Sequence, residues 1–164
     1  MKLNERAWAG QIISWIKQSI NDGITIFQDA TNDEGLKVAS GRTKFPDVLL
    51  FTDKVSGIVF NGWELKFHDT EADNTEMLEN ALEKAERLQS NSFVTWNGTE
   101  AIIWKIKDDK YSLSSLEKLK VYPKEKDITN RKDIDDRNNY KKHEAKLQKR
   151  LNEILHDLGK KKKN

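Results

Sequence analysis

The stretch Pro46-Asp47-Val48-Leu49-Leu50-Phe51-Thr52-Asp53-Lys54-Val55-Ser56-Gly57-Ile58-Val59-Phe60-Asn61-Gly62-Trp63-Glu64-Leu65-Lys66-Phe67 decides the fold. Two apolar runs, Val48 to Phe51 and Gly57 to Phe60, flank a polar connection of hairpin length, and the second run continues through Phe67. This pattern predicts a β-hairpin with a long second strand. On that strand a period of two puts Glu64 and Lys66 on one face and Trp63 and Leu65 on the other. Asp47 opens the partner strand, so two carboxylates and an ammonium can converge.

Working outward toward the N-terminus, Trp8, Ile12, Trp15, Ile16 and Ile20 recur at helical spacing between Asn4 and Ile20. They predict an amphipathic helix with Asn4 as N-cap and Glu5 in its first turn. Gly23 stops it, Ile24-Thr25-Ile26-Phe27 reads as a short strand, and a polar, glycine-containing loop runs from Thr31 to Lys44. Loops of that length often carry function.

Beyond the hairpin, Met77, Leu78, Ala81, Leu82, Ala85 and Leu88 keep helical period between Asp73 and Gln89, with Thr75 or Asp73 placed to cap. Phe93 to Trp96 and Ala101 to Ile106 then read as strands joined by Asn97-Gly98, a dipeptide that tolerates the positive φ of tight turns. Asn97-Gly98-Thr99 is also a glycosylation sequon, irrelevant without a secretory signal. The succession predicts an α/β domain, with a central mixed sheet and a helix on each face.

The expected organisation is a domain over 1–122, a charged linker over 123–139, and an amphipathic helix with a lysine-rich tail over 140–164. In that last segment Leu147, Leu151, Ile154, Leu155 and Leu158 form one stripe before Gly159, and Lys160 to Lys163 read as a solvated tail.

The 164 residues are 36% hydrophobic, enough for one modest core. No apolar stretch approaches the roughly 18 residues of a membrane span, so no membrane partner and a cytoplasmic location are expected. With no cysteine and only three histidines, disulfides, thiolate metal sites and a cysteine nucleophile are excluded, and any metal should be held by oxygen. Residues 140–164 carry nine Lys/Arg against three Asp/Glu, leaving twenty against twenty-four for residues 1–139, a basic end on an acidic body.

Hard Mg²⁺ prefers oxygen ligands and takes one or two carboxylates from a protein, which Asp47 and Glu64 can supply, with the Leu65 carbonyl as a third oxygen. Mn²⁺ should substitute. Such an ion acidifies water and offsets charge building on a phosphate, while Lys66 can orient the water or stabilise the transition state. The chemistry implied is phosphodiester hydrolysis.

Pro46-Asp47 and Glu64-Leu65-Lys66, with sixteen residues between Asp47 and Glu64, resemble the motif of the PD-(D/E)XK nuclease superfamily, over roughly residues 1–107. The resemblance implies a restriction-endonuclease-like core, with Asp47, Glu64 and Lys66 catalytic. In many members a glutamate on a preceding helix contributes. Glu5 shares the helical face of Trp8, Ile12 and Trp15 and is either that residue or a complement to the helix dipole. Gly41 to Lys66, the following helix and the Asn97-Gly98 strand pair are similar to the N-terminal nuclease domain of type I and fused type II restriction enzymes. Those domains often carry Gln-x-x-x-Tyr in the helix after the motif. Here that helix offers Asn80, Glu83, Arg87 and Gln89 but no tyrosine.

Arg42 and Lys44, just before Pro46, either meet DNA phosphates or are solvated loop charges. His68 shares the face of Lys66 and is a further phosphate contact or a structural hydrogen-bonding histidine. The five tryptophans sit in apolar patterns that core packing explains. Glu71, Asp73, Glu76, Glu79, Glu83 and Glu86 make the outer face of the second helix acidic, so DNA should approach from another side.

The function expected is a Mg²⁺-dependent DNA endonuclease, the cleavage domain of a restriction-modification enzyme. Fused or associated motor, methyltransferase or specificity modules and dimerisation for double-strand cleavage are expected partners. The alternatives are a repair or recombination nuclease of junction-resolvase type, against which the acidic body counts, and a non-catalytic nucleic-acid-binding or assembly module.

Overall fold

The computed structural model describes residues 5–32, 36–37, 43–44, 46–67, 69–128, 133 and 136–163; the side chains of residues 5, 36–37, 43–44, 137 and 161–163 are not among those described. Helix α1 (Glu5–Asn21) buries Trp8, Ile12, Trp15 and Ile16 on one stripe. It ends in a Schellman turn: the Ile24 and Gly23 N–H groups donate to Ser19 and Ile20 carbonyls, and Gly23 takes φ +70°.

The expected strand over Ile24 to Phe27 does not form. Its place is taken by β1 (Asp29–Thr31), which pairs antiparallel with β4 (Val48–Asp53). Phe27 is buried against Phe60, ring centroids 5.0 Å apart, while Ile24 and Ile26 are 59% and 40% exposed. One aromatic anchor rather than alternation therefore fixes this segment, and ladder bonding begins only at the Gln28 N–H to the Phe51 carbonyl, 3.0 Å. The Thr31 to Lys44 loop contains a small antiparallel pair, β2 (Leu36–Lys37) with β3 (Thr43–Lys44).

The hairpin forms as expected between β4 and β5 (Ile58–Leu65), turning at Gly57 with φ +67°. Helix α2 (Thr75–Leu88) is capped by Asn74, one position from either residue expected, and its side chain accepts the Met77 N–H at 3.1 Å. A crossover through α2 sets β6 (Ser92–Trp96) parallel to β5. Asn97-Gly98 then turns the chain into β7 (Ala101–Ile106), with Gly98 at φ +89° and Asn97 Oδ1 accepting the Thr99 and Glu100 N–H groups. Strand β8 (Leu116–Tyr122), which the sequence pattern did not announce, closes this edge against β7.

The resulting six-stranded sheet has order β1-β4-β5-β6-β7-β8, mixed because only the β5–β6 pair is parallel. On one face Trp63, Leu65, Val94, Trp96 and Ile103 join α1 in the larger core cluster; on the other Phe93, Ile102 and Trp104 pack with Leu78, Ala81, Leu82 and Ala85 of α2. This is the expected α/β architecture with helices on both faces, consistent with a restriction-endonuclease-like core.

Helix α3 (Arg137–Lys163) joins the larger cluster through Leu147, Leu151, Ile154, Leu155 and Leu158, all 1% exposed or less. The helix runs on through Gly159 and the lysines that follow it. A Cβ at Gly159 would meet Ile26 Cδ1 at 3.4 Å, an ordinary van der Waals contact, so packing does not require glycine at this position, where it costs a helix roughly 1 kcal/mol relative to alanine.

Candidate active site

Asp47 immediately precedes β4, and Val48 pairs with Trp63, so the register carries Asp47 opposite Glu64 on adjacent strands. Such a cross-strand pair projects its side chains to one face. Trp63 and Leu65 point into the α1–α3 core, and Glu64 therefore points to the α2 side. Asp47 Oδ2 accepts the Leu65 N–H at 2.7 Å, which fixes the carboxylate against the end of β5. Lys66 lies one residue beyond β5, half-buried, its own N–H donating to the Trp96 carbonyl at 3.0 Å.

Glu64 is 6% exposed and receives Lys84 Nζ on Oε1 at 2.6 Å. Lys84 comes from α2 and is 8% exposed. A narrow crevice between sheet and helix, walled by Pro46, Gly62, Ala81, Ala85 and Phe93, has both residues in its lining. Burial raises the Glu64 pKa to about 7, opposed by Lys84 and reinforced by the neighbouring Asp47. Burial also raises the pKa of Asp47, against the Leu65 hydrogen bond and the two lysines, Lys84 and Lys66. Four charges thus share one electrostatic neighbourhood.

Lys84 is the residue that sequence reasoning passed over. Its signal was present, because Met77, Ala81, Lys84 and Leu88 occupy one stripe of α2 and a lysine in an otherwise apolar stripe needs a buried partner. What the pattern lacked was the identity of that partner.

Of the other candidates, Arg42 and His68 lie outside the described residues, as do the side chains of Lys44 and Glu5. Helix α1, which Glu5 begins, packs on the sheet face opposite Glu64. All five tryptophans are 5% exposed or less and serve the core. Glu76, Glu79 and Glu86 of α2 are exposed, while Glu71 and Asp73, also exposed, precede the helix and pair with Lys124 and Lys118 at 3.7 and 3.8 Å.

Among the described residues, no group of three or more His, Asp or Glu side chains is placed to hold a metal ion. The oxygen donors brought together here are the two carboxylates of Asp47 and Glu64. Among the described residues, Asp47 Oδ1 and Glu64 Oε2 accept no hydrogen bond, and the remaining oxygen of each is held by Leu65 and Lys84. Two hard oxygens with raised pKa values, each destabilised in its charged form, fit a hard divalent cation.

No protein-family model matches the chain, and no curated protein is similar to it. A solved structure, described as the cryoEM structure of a DrdV-DNA complex, is similar over 90% of this chain with TM-score 0.45 and 13% identity. The chain spans 11% of the length of that one. Among the described residues no helix is long and apolar enough to cross a membrane.

Proposed function

We propose that the chain is a metal-dependent DNA endonuclease of PD-(D/E)XK type, with Asp47 and Glu64 as ligands of Mg²⁺ or Mn²⁺ and Lys66 as the catalytic cation. The observation that carries this reading is the convergence of Asp47, Glu64 and Lys66, where the Asp47 carboxylate is tied to the backbone between the other two. A carboxylate pair buried for structure alone would raise the cost of each charge; a divalent ion relieves both.

The ion, when bound, supplies the positive charge that acidifies an attacking water and offsets charge building on the phosphate. Asp47 and Glu64 would hold that charge beside the end of β5, with the Leu65 carbonyl as a third protein oxygen. Lys66 then faces the scissile phosphate, where its ammonium stabilises the added negative charge. Water adds to phosphorus and gives up a proton to solvent, the bridging P–O bond breaks, and the leaving alkoxide takes a proton from solvent. The exposed acidic row of α2 repels a duplex, so the substrate reaches the site from the Lys66 side. We place this activity in restriction of foreign DNA, within a larger assembly that supplies recognition.

The closed Glu64–Lys84 pair favours a second reading, in which the cluster is purely structural and the domain only binds nucleic acid or a partner. Calorimetry with Mn²⁺ on the wild type and Asp47→Ala, with plasmid nicking followed in the same samples, separates the two. Binding and nicking lost together in the variant support the nuclease. No wild-type binding, even with DNA present, leaves the structural reading.

A further inference from the structure

Asp47 and Glu64 are balanced by Lys66 and Lys84, all within electrostatic reach of one another. The two lysines are not equivalent. Lys66 is half-buried, and among the described residues it has no ion-pair partner. Lys84 is buried among Ala81, Ala85 and Phe93, with its ammonium 2.6 Å from Glu64 Oε1. A buried ammonium is strongly disfavoured unless paired, so the Lys84 position is intelligible only through Glu64.

We propose that Lys84 is an internal counter-ion which occupies Glu64 in the ion-free protein and is displaced by the divalent cation. This rests on the nuclease reading above and adds a positioning residue to it. A hard cation sits about 2.0–2.1 Å from its oxygen ligands. A cation on Glu64 and an ammonium on the same carboxylate would stand a few ångströms apart in a narrow crevice between sheet and helix, where like charges repel. The flexible four-carbon stem of lysine lets the ammonium leave while α2 stays in place. Until then Lys84 keeps Glu64 oriented and offsets part of the repulsion between the two carboxylates, and it lowers the affinity of the site for metal.

The test is calorimetric titration of the full chain with Mn²⁺ alone, comparing wild type, Lys84→Gln, Lys84→Met and Lys84→Arg. Gln and Met remove the competing charge and are expected to bind Mn²⁺ at least tenfold tighter, while Arg keeps the wild-type affinity. If either neutral variant is unfolded without metal, Mn²⁺ should restore its far-UV circular dichroism, since the ion replaces the lost cation. Wild-type binding with unchanged affinity in folded Lys84→Gln and Lys84→Met overturns the counter-ion role and leaves the nuclease reading intact. An unfolded variant that Mn²⁺ does not rescue also overturns it. Absence of Mn²⁺ binding in every form overturns both.

Discussion

The Asp47 carboxylate accepts the backbone N–H of Leu65 at 2.7 Å, which locks the start of one strand to the end of its neighbour. The bond sets the position of an acid whose charged form is penalised by burial. Structure and proposed chemistry therefore pull in opposite directions at this residue.

Asp47→Asn keeps an acceptor for Leu65 and removes the buried charge. Its stability in metal-free buffer is expected to equal or exceed that of the wild type, while Mn²⁺ binding and plasmid nicking disappear. Asp47→Ala, which leaves the Leu65 N–H without its partner, should cost about 1–3 kcal/mol in urea unfolding. A variant Asn that is as destabilised as Ala would mean the charge itself, and not the acceptor, holds the strands.

Glu64 gives a pH dependence whose sign follows from its raised pKa. Between 4.5 and about 7 the folded protein holds a proton on Glu64 that the unfolded chain has lost, so this residue's contribution to stability falls as pH rises through that window. The stability difference between Glu64→Gln and wild type, measured without metal at pH 4, 5, 6 and 7.5, should shift progressively in favour of the variant as pH rises. A difference that stays flat across the window would show that Lys84 compensates the burial completely.

Lys66→Ala separates chemistry from assembly. The side chain is half-buried and forms no ion pair among the described residues, so unfolding free energy should change by no more than about 0.5 kcal/mol. Mn²⁺ affinity should stay within a few-fold of wild type, and the nicking rate should drop by about 10²–10³, the usual loss when one transition-state stabilising group is removed. Undiminished nicking would remove Lys66 from the mechanism.

The C-terminal helix makes a stability prediction independent of any activity. Leu155→Ala, at a residue 1% exposed in the larger core cluster, should cost about 2–5 kcal/mol by chemical denaturation. Lys149→Ala, on the exposed side of the same helix, should be neutral to within about 0.5 kcal/mol. Equal small effects at both positions would show that the helix is dispensable to the core.

Much of the fold was legible because its elements are strongly periodic. The α1 stripe, the α2 stripe, the hairpin and the Asn97-Gly98 turn each state their structure in residues close along the chain. Strand β8 was not legible, since Glu117, Lys118 and Lys120 are exposed on an edge and the alternation that marks a half-buried strand is broken. Residues 24–27 misled for the opposite reason. Ile24, Ile26 and Phe27 have strand composition, but only Phe27 is buried, and strand pairing starts two residues later.

By itself the sequence determined the α/β class, the hairpin, and the adjacency of Asp47, Glu64 and Lys66, because a period of two and a short connection leave a hairpin few registers. It also determined that α2 carries a lysine in its apolar stripe and that the last helix carries an apolar one. Only the tertiary structure decided what those stripes meet: Lys84 reaches Glu64, and Leu147 to Leu158 complete the core over α1. Local periodicity fixes which face of an element must be buried, but the partner of that face is chosen by long-range packing and by the need of every buried charge for its opposite.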